Sequence, residues 1–373
     1  MKILYTALML IVFKQAFPQD QPVASNIFII TTDGFRWQEL FTGADSAILS
    51  NPDYVKDPAT IGYMYGGKTP EERRMKLMPF LWNYIAAKGQ LWGNRKYANN
   101  VSVANPYHLS YPGYNELLTG YADPGLMTNR KKNNDNSNLL GYLNSLPKYQ
   151  NRVALFGSWK LFSYIVNGNK NKIPLNCGYQ LTYEDSLSLT EQAVNYLEQT
   201  SEDNGKPTRC DLLTFTLATE YIRKNHPRIV YIGFGETDEF AHHGQYDNYL
   251  NQANQFDKFL AQLWSLIQQD DFYKDKTTLF ITTDHGRGRR PGKWTTHGPF
   301  TGGSDETGMV QLGPNIRALG EVKKRVNLSA EQFAQTIAGY LGESFIAEHP
   351  VAEPAYSLLY KKEHDAGQPL IVR

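Results

Sequence analysis

The sequence predicts an α/β fold, a doubly wound and mostly parallel sheet flanked by helices, with lid-like insertions. The first observation is a set of four short segments that are apolar almost throughout, which is typical of strands buried on both faces. The second observation is that helical patterns lie between them, and such alternation favours a parallel sheet. The four predicted strands lie at residues 26–32, 152–157, 228–234 and 277–283.

Three patterns predict the bounds of helices. The run "TPEE" at residues 69–72 is a capping box with proline at the first helical position, and Gly89 closes that region. Pro79 is expected to kink this helix or to split it. Apolar residues recur at helical spacing through residues 248–268, and a second capping box at residues 329–332 begins a last helix.

Length and composition limit the class of protein. The chain has 373 residues and a formal net charge of +1. This length fits one large catalytic domain, predicted over residues 20–373 with insertions near 36–65 and 160–210. The near-neutral charge gives no sign of a nucleic-acid-binding surface.

The N-terminal segment predicts export. Lys2 is followed by an apolar run from Ile3 to Phe13 and then by polar residues. The run is too short to span a bilayer, so we expect a signal peptide over residues 1–19, with a buried first strand as the alternative. The mature protein is then periplasmic or secreted, without a membrane span. In that setting Cys177 and Cys210 form one disulfide or remain two free thiols, and both alternatives stay open.

Acidic residues and histidines follow the predicted strands. In open α/β sheets, sites form at the carboxyl ends of the strands, where these side chains would meet. Carboxylate and imidazole groups in this mixture suit Zn²⁺, and six of them suffice for two ions. Considered alone, an Asp after a strand is a turn residue as often as a ligand, and a single His is more often structural than a ligand. The six candidate ligands are Asp33, Asp238, His242, Asp284, His285 and His297.

Ser110 is the candidate nucleophile. It stands two residues before Pro112, which suits the first turn of a helix. A hydroxyl at a helix N-terminus that also contacts a metal ion loses its proton more readily. The alternative is that Ser110 merely caps this helix.

These motifs resemble the alkaline phosphatase superfamily, most closely its nucleotide pyrophosphatase/phosphodiesterase and related phosphatase branches. The resemblance extends from about residue 26 to about residue 341. It is carried by "TDG" at residues 32–34, "SYPG" at residues 110–113, the spacing of Asp238 and His242, "DHG" at residues 284–286, and "HG" at residues 297–298.

The resemblance implies a di-zinc hydrolase of small-molecule phosphate esters with a phosphoseryl intermediate. One Zn²⁺ would take Asp238, His242 and His297, and the other Asp33, Asp284, His285 and the Ser110 oxygen. Asn129, in a matching run after the nucleophile, would bind a phosphoryl oxygen. Lys160 is a candidate for the extra charge of a monoester.

Other readings stay open at this point. Sulfate or phosphonate ester hydrolysis belongs to the same superfamily, although Tyr114 stands where a sulfatase would have arginine. A non-catalytic, metal-stabilised binding protein is the alternative from another class. The cations between the last two histidines, among them Arg287 and Arg289, face either substrate or solvent.

Overall fold

An eight-stranded sheet forms the centre of the protein in the computed structural model, which describes residues 24–183, 186–200 and 206–355. The predicted signal peptide lies outside the described residues. The strands are β1 (Asn26–Thr32), β2 (Gln90–Trp92), β3 (Asn99–Ser102), β4 (Val153–Gly157), β5 (Leu175–Cys177), β6 (Ile229–Phe234), β7 (Thr277–Thr282), β8 (Glu306–Thr307), β9 (Met309–Leu312), β10 (Gly320–Glu321) and β11 (Val326–Ser329).

The order in the large sheet is β10-β2-β9-β7-β1-β6-β4-β5. Strand β9 runs antiparallel to β2 and β7, while the other neighbours pair in parallel. The three remaining strands form a small sheet in the order β11-β3-β8. The four predicted strands are β1, β4, β6 and β7, which lie together in the parallel part.

Helices cover both faces of the large sheet. They are α1 (Trp37–Thr42), α2 (Ser46–Leu49), α3 (Pro58–Tyr65), α4 (Pro70–Leu77), α5 (Ala86–Lys88), α6 (Ser110–Thr119), α7 (Leu139–Ser145), α8 (Phe162–Ile165), α9 (Gly168–Asn171), α10 (Leu189–Thr200), α11 (Asp211–Asn225), α12 (Glu236–His242), α13 (Tyr246–Gln269) and α14 (Phe333–Tyr340). A π-helix spans Leu81–Ile85, and short 3₁₀ helices span Arg95–Tyr97, Pro291–Lys293 and Ala330–Gln332.

The alternation of side chains along β1 divides the interior into two cores. Phe28 and Ile30 join the core beneath α11 and α13, whereas Ile27 and Ile29 join the core beneath α6, α7 and α14. Successive strand residues point to opposite faces, so a strand covered on both sides must be apolar throughout. The predicted fold class, a mostly parallel sheet flanked by helices, is therefore confirmed.

The predicted helix bounds also agree with the structure. Thr69 Oγ1 accepts the Glu72 N–H at 3.1 Å at the start of α4, and α4 ends before Pro79. The π-helix then continues toward Gly89, so the proline splits the region. The long helix α13 covers the predicted span, and the capping box at Ser329 is present.

Other regions of the chain bear on the remaining predictions. Helices α1–α3 lie in the segment predicted as the first insertion and contribute Phe41, Ile48 and Ile61 to the same core as β1. Cys177 is buried and Cys210 exposed, and both are free thiols. Across the described ranges, none of the helices has the length and apolar character that crossing a bilayer requires.

Candidate metal centre

Three neighbouring strands bring the predicted acidic residues to one edge of the sheet. β1 lies in register between β7 and β6, so the carboxyl ends of the three strands are adjacent. Asp33 follows β1 directly, and Asp284 follows shortly after β7. β6 leads into α12, which carries Asp238 and His242 one turn apart.

Gly34 permits a close approach at this edge. Its φ is +57°, in the left-handed region that favours glycine. A Cβ at this position would lie 2.5 Å from Asp238 Oδ1 and 3.1 Å from His285 Cε1. The glycine of the "TDG" motif therefore lets the chain after β1 pass between two other ligand-bearing segments.

The start of α12 is held by a reciprocal pair of carboxylates. Asp211, at the start of α11, accepts the N–H groups of Gly235 and Glu236 at 2.8 and 3.1 Å. Glu236 in turn accepts the Asp211 N–H at 2.7 Å. These bonds satisfy N–H groups that a helix start leaves unpaired, so α12 presents Asp238 and His242 from a fixed position.

One group of possible metal ligands comprises Asp238, His242 and His297, whose ligand atoms lie within 4.8 Å of one another. His242 Nε2 lies 3.1 Å from Asp238 Oδ2 and 3.1 Å from His297 Nε2. Burial lowers the pKa of His297 to about 4. The imidazole is then neutral near pH 7, as a metal ligand must be.

The loop before α6 orients His297. His297 Nδ1 donates to the His108 carbonyl at 2.9 Å, which leaves the Nε2 lone pair facing the group. His108 has φ +48°, and its N–H is accepted by Asn105 Oδ1 at 2.9 Å. Glu116 of α6 accepts both the N–H and the Nδ2 of Asn105 at 2.8 Å. Helix α6 therefore supports the loop that sets the tautomer of His297.

A second group comprises Asp33, Asp238 and His285. His285 Nδ1 donates to the Gly286 carbonyl at 3.0 Å, so Nε2 again carries the free lone pair. That atom lies 3.4 Å from Asp33 Oδ1 and 3.4 Å from Asp284 Oδ2. Burial, followed by the neighbouring His297, holds the pKa of His285 well below its usual value.

Asp284 has one oxygen that fits a cation. Oδ1 accepts the Gly34 N–H at 3.0 Å, whereas Oδ2 is buried and accepts no hydrogen bond from the described residues. A buried carboxylate oxygen without a partner is costly, and a metal ion would satisfy it. Asp284 is not a member of the group formed by Asp33, Asp238 and His285, but its Oδ2 lies 3.4 Å from Nε2 of His285.

Two buried carboxylates, Asp33 and Asp284, and the partly buried Asp238 share this small region. Burial, then Asp284 and Asp238, raise the pKa of Asp33 well above its usual value, and burial raises that of Asp284 to about 8. Burial would also raise the pKa of Asp238, but Arg287 and the neighbouring histidines hold it well below normal. The arrangement suits divalent cations, because they offset the repulsion and take nitrogen and oxygen donors.

Ser110 lies within this constellation. It is the first residue of α6, is buried, and its Oγ lies 3.3 Å from His285 Nε2 and 3.5 Å from Asp33 Oδ1. Leu109 occupies the cap position, so the alternative in which Ser110 caps the helix does not describe the structure. The hydroxyl is close enough to the second group for its oxygen to serve as a further ligand of a cation bound there.

Tyr114 is a site residue that sequence reasoning missed. Its hydroxyl donates to Asp33 Oδ2 at 3.1 Å, and the ring is fully buried. It stands one helical turn after Ser110, on the same face of α6. This four-residue spacing from Ser110 could have identified Tyr114 as a site residue. Tyr114 was instead considered only as the position at which a sulfatase would have arginine.

Comparisons with known proteins bear on the fold of the chain. The Metalloenzyme superfamily model matches residues 164–299, which include all the candidate ligands except Asp33 and Ser110. Wild-type alkaline phosphatase PafA has a TM-score of 0.59 at 10% identity over 91% of this chain and 100% of its own. The chain has an alkaline phosphatase-like fold. The superfamily resemblance is thereby confirmed.

Other solved structures with the alkaline phosphatase-like fold include enzymes of different ester classes. The phosphonate monoester hydrolase of Agrobacterium radiobacter has a TM-score of 0.54 at 14% identity, over 92% of this chain and 78% of its own. A 2-O GAG sulfatase has a TM-score of 0.56 at 14% identity, over 90% and 74%. No curated protein matched the sequence. At these identities the likeness concerns the fold.

The two remaining predicted catalytic residues of this alkaline phosphatase-like chain lie at different places. Asn129 Oδ1 accepts the Tyr111 N–H at 2.8 Å, which brings its side chain next to the start of α6 and leaves Nδ2 available. Lys160 is exposed beyond the end of β4. Within the described ranges its ammonium forms no hydrogen bond or ion pair with the residues of the centre.

Other residues named in the sequence analysis make packing or hydrogen-bond contacts outside the centre. Tyr111 is buried and its hydroxyl donates to the Lys132 carbonyl at 2.7 Å, so it packs rather than presenting a stacking face. His243 points away and its ring contacts the Glu239 carbonyl. Arg289 pairs with Glu306 at 2.6 Å. Arg287, in contrast, is buried beside Asp238.

Proposed function

We propose that this protein hydrolyses phosphoric esters with Ser110 as its nucleophile. The observation that carries the proposal is the position of the buried Ser110 hydroxyl, 3.3 Å from His285 Nε2 and 3.5 Å from Asp33 Oδ1. A hydroxyl at a helix N-terminus, next to carboxylate and imidazole metal donors, has the surroundings that activate an oxygen nucleophile.

We further propose that the centre holds two zinc ions. Asp238, His242 and His297 would bind one, because their donor atoms converge and His297 is neutral and oriented. The other would be bound by Asp33, Asp284 and His285 together with Ser110. Bound zinc would lower the pKa of a coordinated hydroxyl or water and polarise the phosphoryl group.

The reaction would proceed in two displacements at phosphorus. Ser110 Oγ attacks the phosphorus atom and gives up its proton to solvent. The bond from phosphorus to the ester oxygen breaks, and the leaving oxygen takes a proton from solvent and departs as the alcohol. A phosphoseryl intermediate results. Water then attacks the same phosphorus, the bond from phosphorus to Oγ breaks, and Ser110 regains a proton as phosphate leaves.

The protein's own groups would stabilise the transferred phosphoryl group. The N–H groups at the start of α6 favour negative charge there, because the first turn of a helix leaves them unpaired. Asn129 Nδ2, beside that helix start, would donate to a non-bridging oxygen. Lys160 is exposed, and we propose that its ammonium group contacts the extra negative charge of a monoester substrate.

The same centre is compatible with two classes of phosphate substrate, diesters and monoesters. A phosphodiesterase, including a nucleotide pyrophosphatase, needs room for a second ester group, whereas a monoesterase needs a cation for the extra charge. Sulfate or phosphonate ester hydrolysis is the second candidate, favoured by the fold shared with a sulfatase and a phosphonate monoester hydrolase.

The decisive experiment compares Ser110→Ala with the unmodified protein after zinc loading. We expect about two zinc ions per chain in both proteins, and turnover of p-nitrophenyl phosphate or bis-p-nitrophenyl phosphate in the unmodified protein alone. Ser145→Ala is the matched control, because its exposed hydroxyl donates to the Tyr142 carbonyl of its own helix. Full activity of Ser110→Ala would sink the assignment.

The same assay separates the alternatives. The ratio of the rates on the two esters distinguishes a monoesterase from a diesterase. Zinc binding without turnover of any phosphate, phosphonate or sulfate ester would favour the non-catalytic, metal-stabilised binding protein.

We also propose that the protein is exported to the periplasm or secreted, on the pattern of residues 1–19. Sequencing the N-terminus of the protein isolated from its native cells tests this, and an intact Met1 would contradict it.

A further inference from the structure

Arg287 follows the "DHG" motif in a loop rich in cations and glycine, and such a loop is normally solvated. The structure shows the opposite at this one position. Arg287 is 1% exposed, whereas the side chain of Arg289, two residues later, is 58% exposed. A buried guanidinium is retained only where charged and polar partners surround it.

Each nitrogen of the Arg287 guanidinium has a partner. Nε donates to the Trp294 carbonyl at 2.8 Å, and Nη2 donates to the Thr295 carbonyl at 2.6 Å. Nη1 contacts Asp238 Oδ1. The two carbonyls belong to the segment that leads directly to His297. One planar side chain thus joins the two segments that supply the group Asp238, His242 and His297.

We propose that Arg287 is a positioning residue that holds Asp238 and the His297 segment in register for the first metal ion. It would act through Asp238 and the His297 segment, and its Nη2 also lies 3.4 Å from His242 Nδ1, the third member of the group. Its rigid fork of donors matches acceptors arranged on three sides, which a lysine ammonium on a flexible stem cannot reproduce. Partners of metal ligands commonly set the affinity of a site in this way.

The fold of this segment has a separate anchor. The Trp294 ring is fully buried and packs edge-to-face against Tyr54 and Tyr246, with ring centroids 5.6 and 5.0 Å apart. Removing the guanidinium therefore leaves the segment attached to the core. The expected consequence is a displaced ligand group and not an unfolded loop.

The test measures zinc affinity and does not depend on turnover. Metal-free protein is titrated with zinc against a chromophoric chelator for the unmodified chain, Arg287→Lys and Arg287→Met. His242→Ala identifies which of the binding steps belongs to the first group, because His242 belongs to that group and not to the second. Arg289→Met is the matched control, because it removes an arginine of the same loop that pairs outside the centre.

We expect the affinity of the first step to fall about 10- to 100-fold in both Arg287 variants. The second step should stay within about threefold, and Arg289→Met should match the unmodified protein. Thermal unfolding of the metal-free variants accompanies the titration. If Arg287→Met does not fold, Arg287→Lys carries the test, because it keeps the positive charge beside Asp238.

Two results would overturn the inference. Unchanged affinity of the first step would show that Arg287 does not position its ligands. An equal loss at both steps, together with a lower melting temperature of the metal-free variant, would show a purely structural role. An unmodified chain that binds no zinc would instead overturn the metal centre itself, so the two failures are distinguishable.

Discussion

Replacing Gly113 by alanine tests how tightly the helix of the nucleophile packs against the Asp284 segment. A Cβ added at Gly113 would lie 2.9 Å from the carbonyl carbon and 3.2 Å from the Cβ of Asp284, and nearer still to the carbonyl oxygen. Ordinary contacts between carbon atoms lie at about 3.5–4.0 Å, so the two segments would separate by roughly 0.6–1 Å.

The magnitude follows from two opposing effects. Gly113 lies inside α6, where alanine is favoured over glycine by about 0.8–1.0 kcal/mol, so helix propensity alone predicts a more stable protein. Overpacking a buried contact costs about 1–3 kcal/mol, which leaves a net loss of up to about 2 kcal/mol. A displacement of about 1 Å between Ser110 and Asp284 would lower the hydrolytic rate about 100-fold.

The assay measures turnover of p-nitrophenyl phosphate by zinc-saturated protein together with thermal unfolding. Gly292→Ala is the control, because a Cβ there meets nothing within 4 Å. A Gly113→Ala protein that is more stable and as active as the unmodified chain would refute the close packing. If the unmodified chain lacks turnover, zinc affinity of the group around Asp33 replaces the rate as the readout.

Three further substitutions test the supports of the centre. Tyr114→Phe removes the hydroxyl that donates to Asp33 Oδ2, so zinc affinity measured by chelator competition should fall about tenfold. An unchanged affinity would contradict a role of Tyr114 in orienting Asp33. Asp211→Ala leaves the start of α12 uncapped and should lower the free energy of unfolding in urea by about 2–3 kcal/mol; a loss under about 0.5 kcal/mol would contradict the cap. Burial raises the pKa of Glu116 from 4.5 to about 7, so the folded state binds the proton more tightly than the unfolded state. Stability relative to Glu116→Gln should therefore decline as the pH rises from about 4.5 to about 7. Parallel unfolding curves for the two proteins across that range would disprove the shift.

The fold was predictable because its strands carry an unambiguous pattern. A strand covered by helices on both faces is apolar throughout, and four such segments marked β1, β4, β6 and β7. The shorter strands, such as β2 and β9, were not predicted, since three or four residues at the edge of the parallel region leave no distinctive pattern.

The candidate ligands were predictable for a related reason. Asp33 and Asp284 follow central strands, and parallel strands deliver whatever follows them to the same edge. The spacing of Asp238 and His242 needs only one helical turn to bring both side chains to one face. The structure brings these residues together with His285, His297 and Ser110, while Lys160 stands apart as an exposed side chain.

The sequence by itself determined the parallel centre of the sheet, the edge at which chemistry can occur, and the identity of the converging donors, because these depend on local periodicity and on the direction of strands. Tertiary structure alone decided the surroundings of those donors. Tyr114 reaches Asp33 and Glu116 supports the His297 loop because helix α6 packs across the strand ends. Arg287 is buried rather than solvated because Asp238 and the segment before His297 meet around it. Such contacts join residues far apart in the chain, so no local pattern records them.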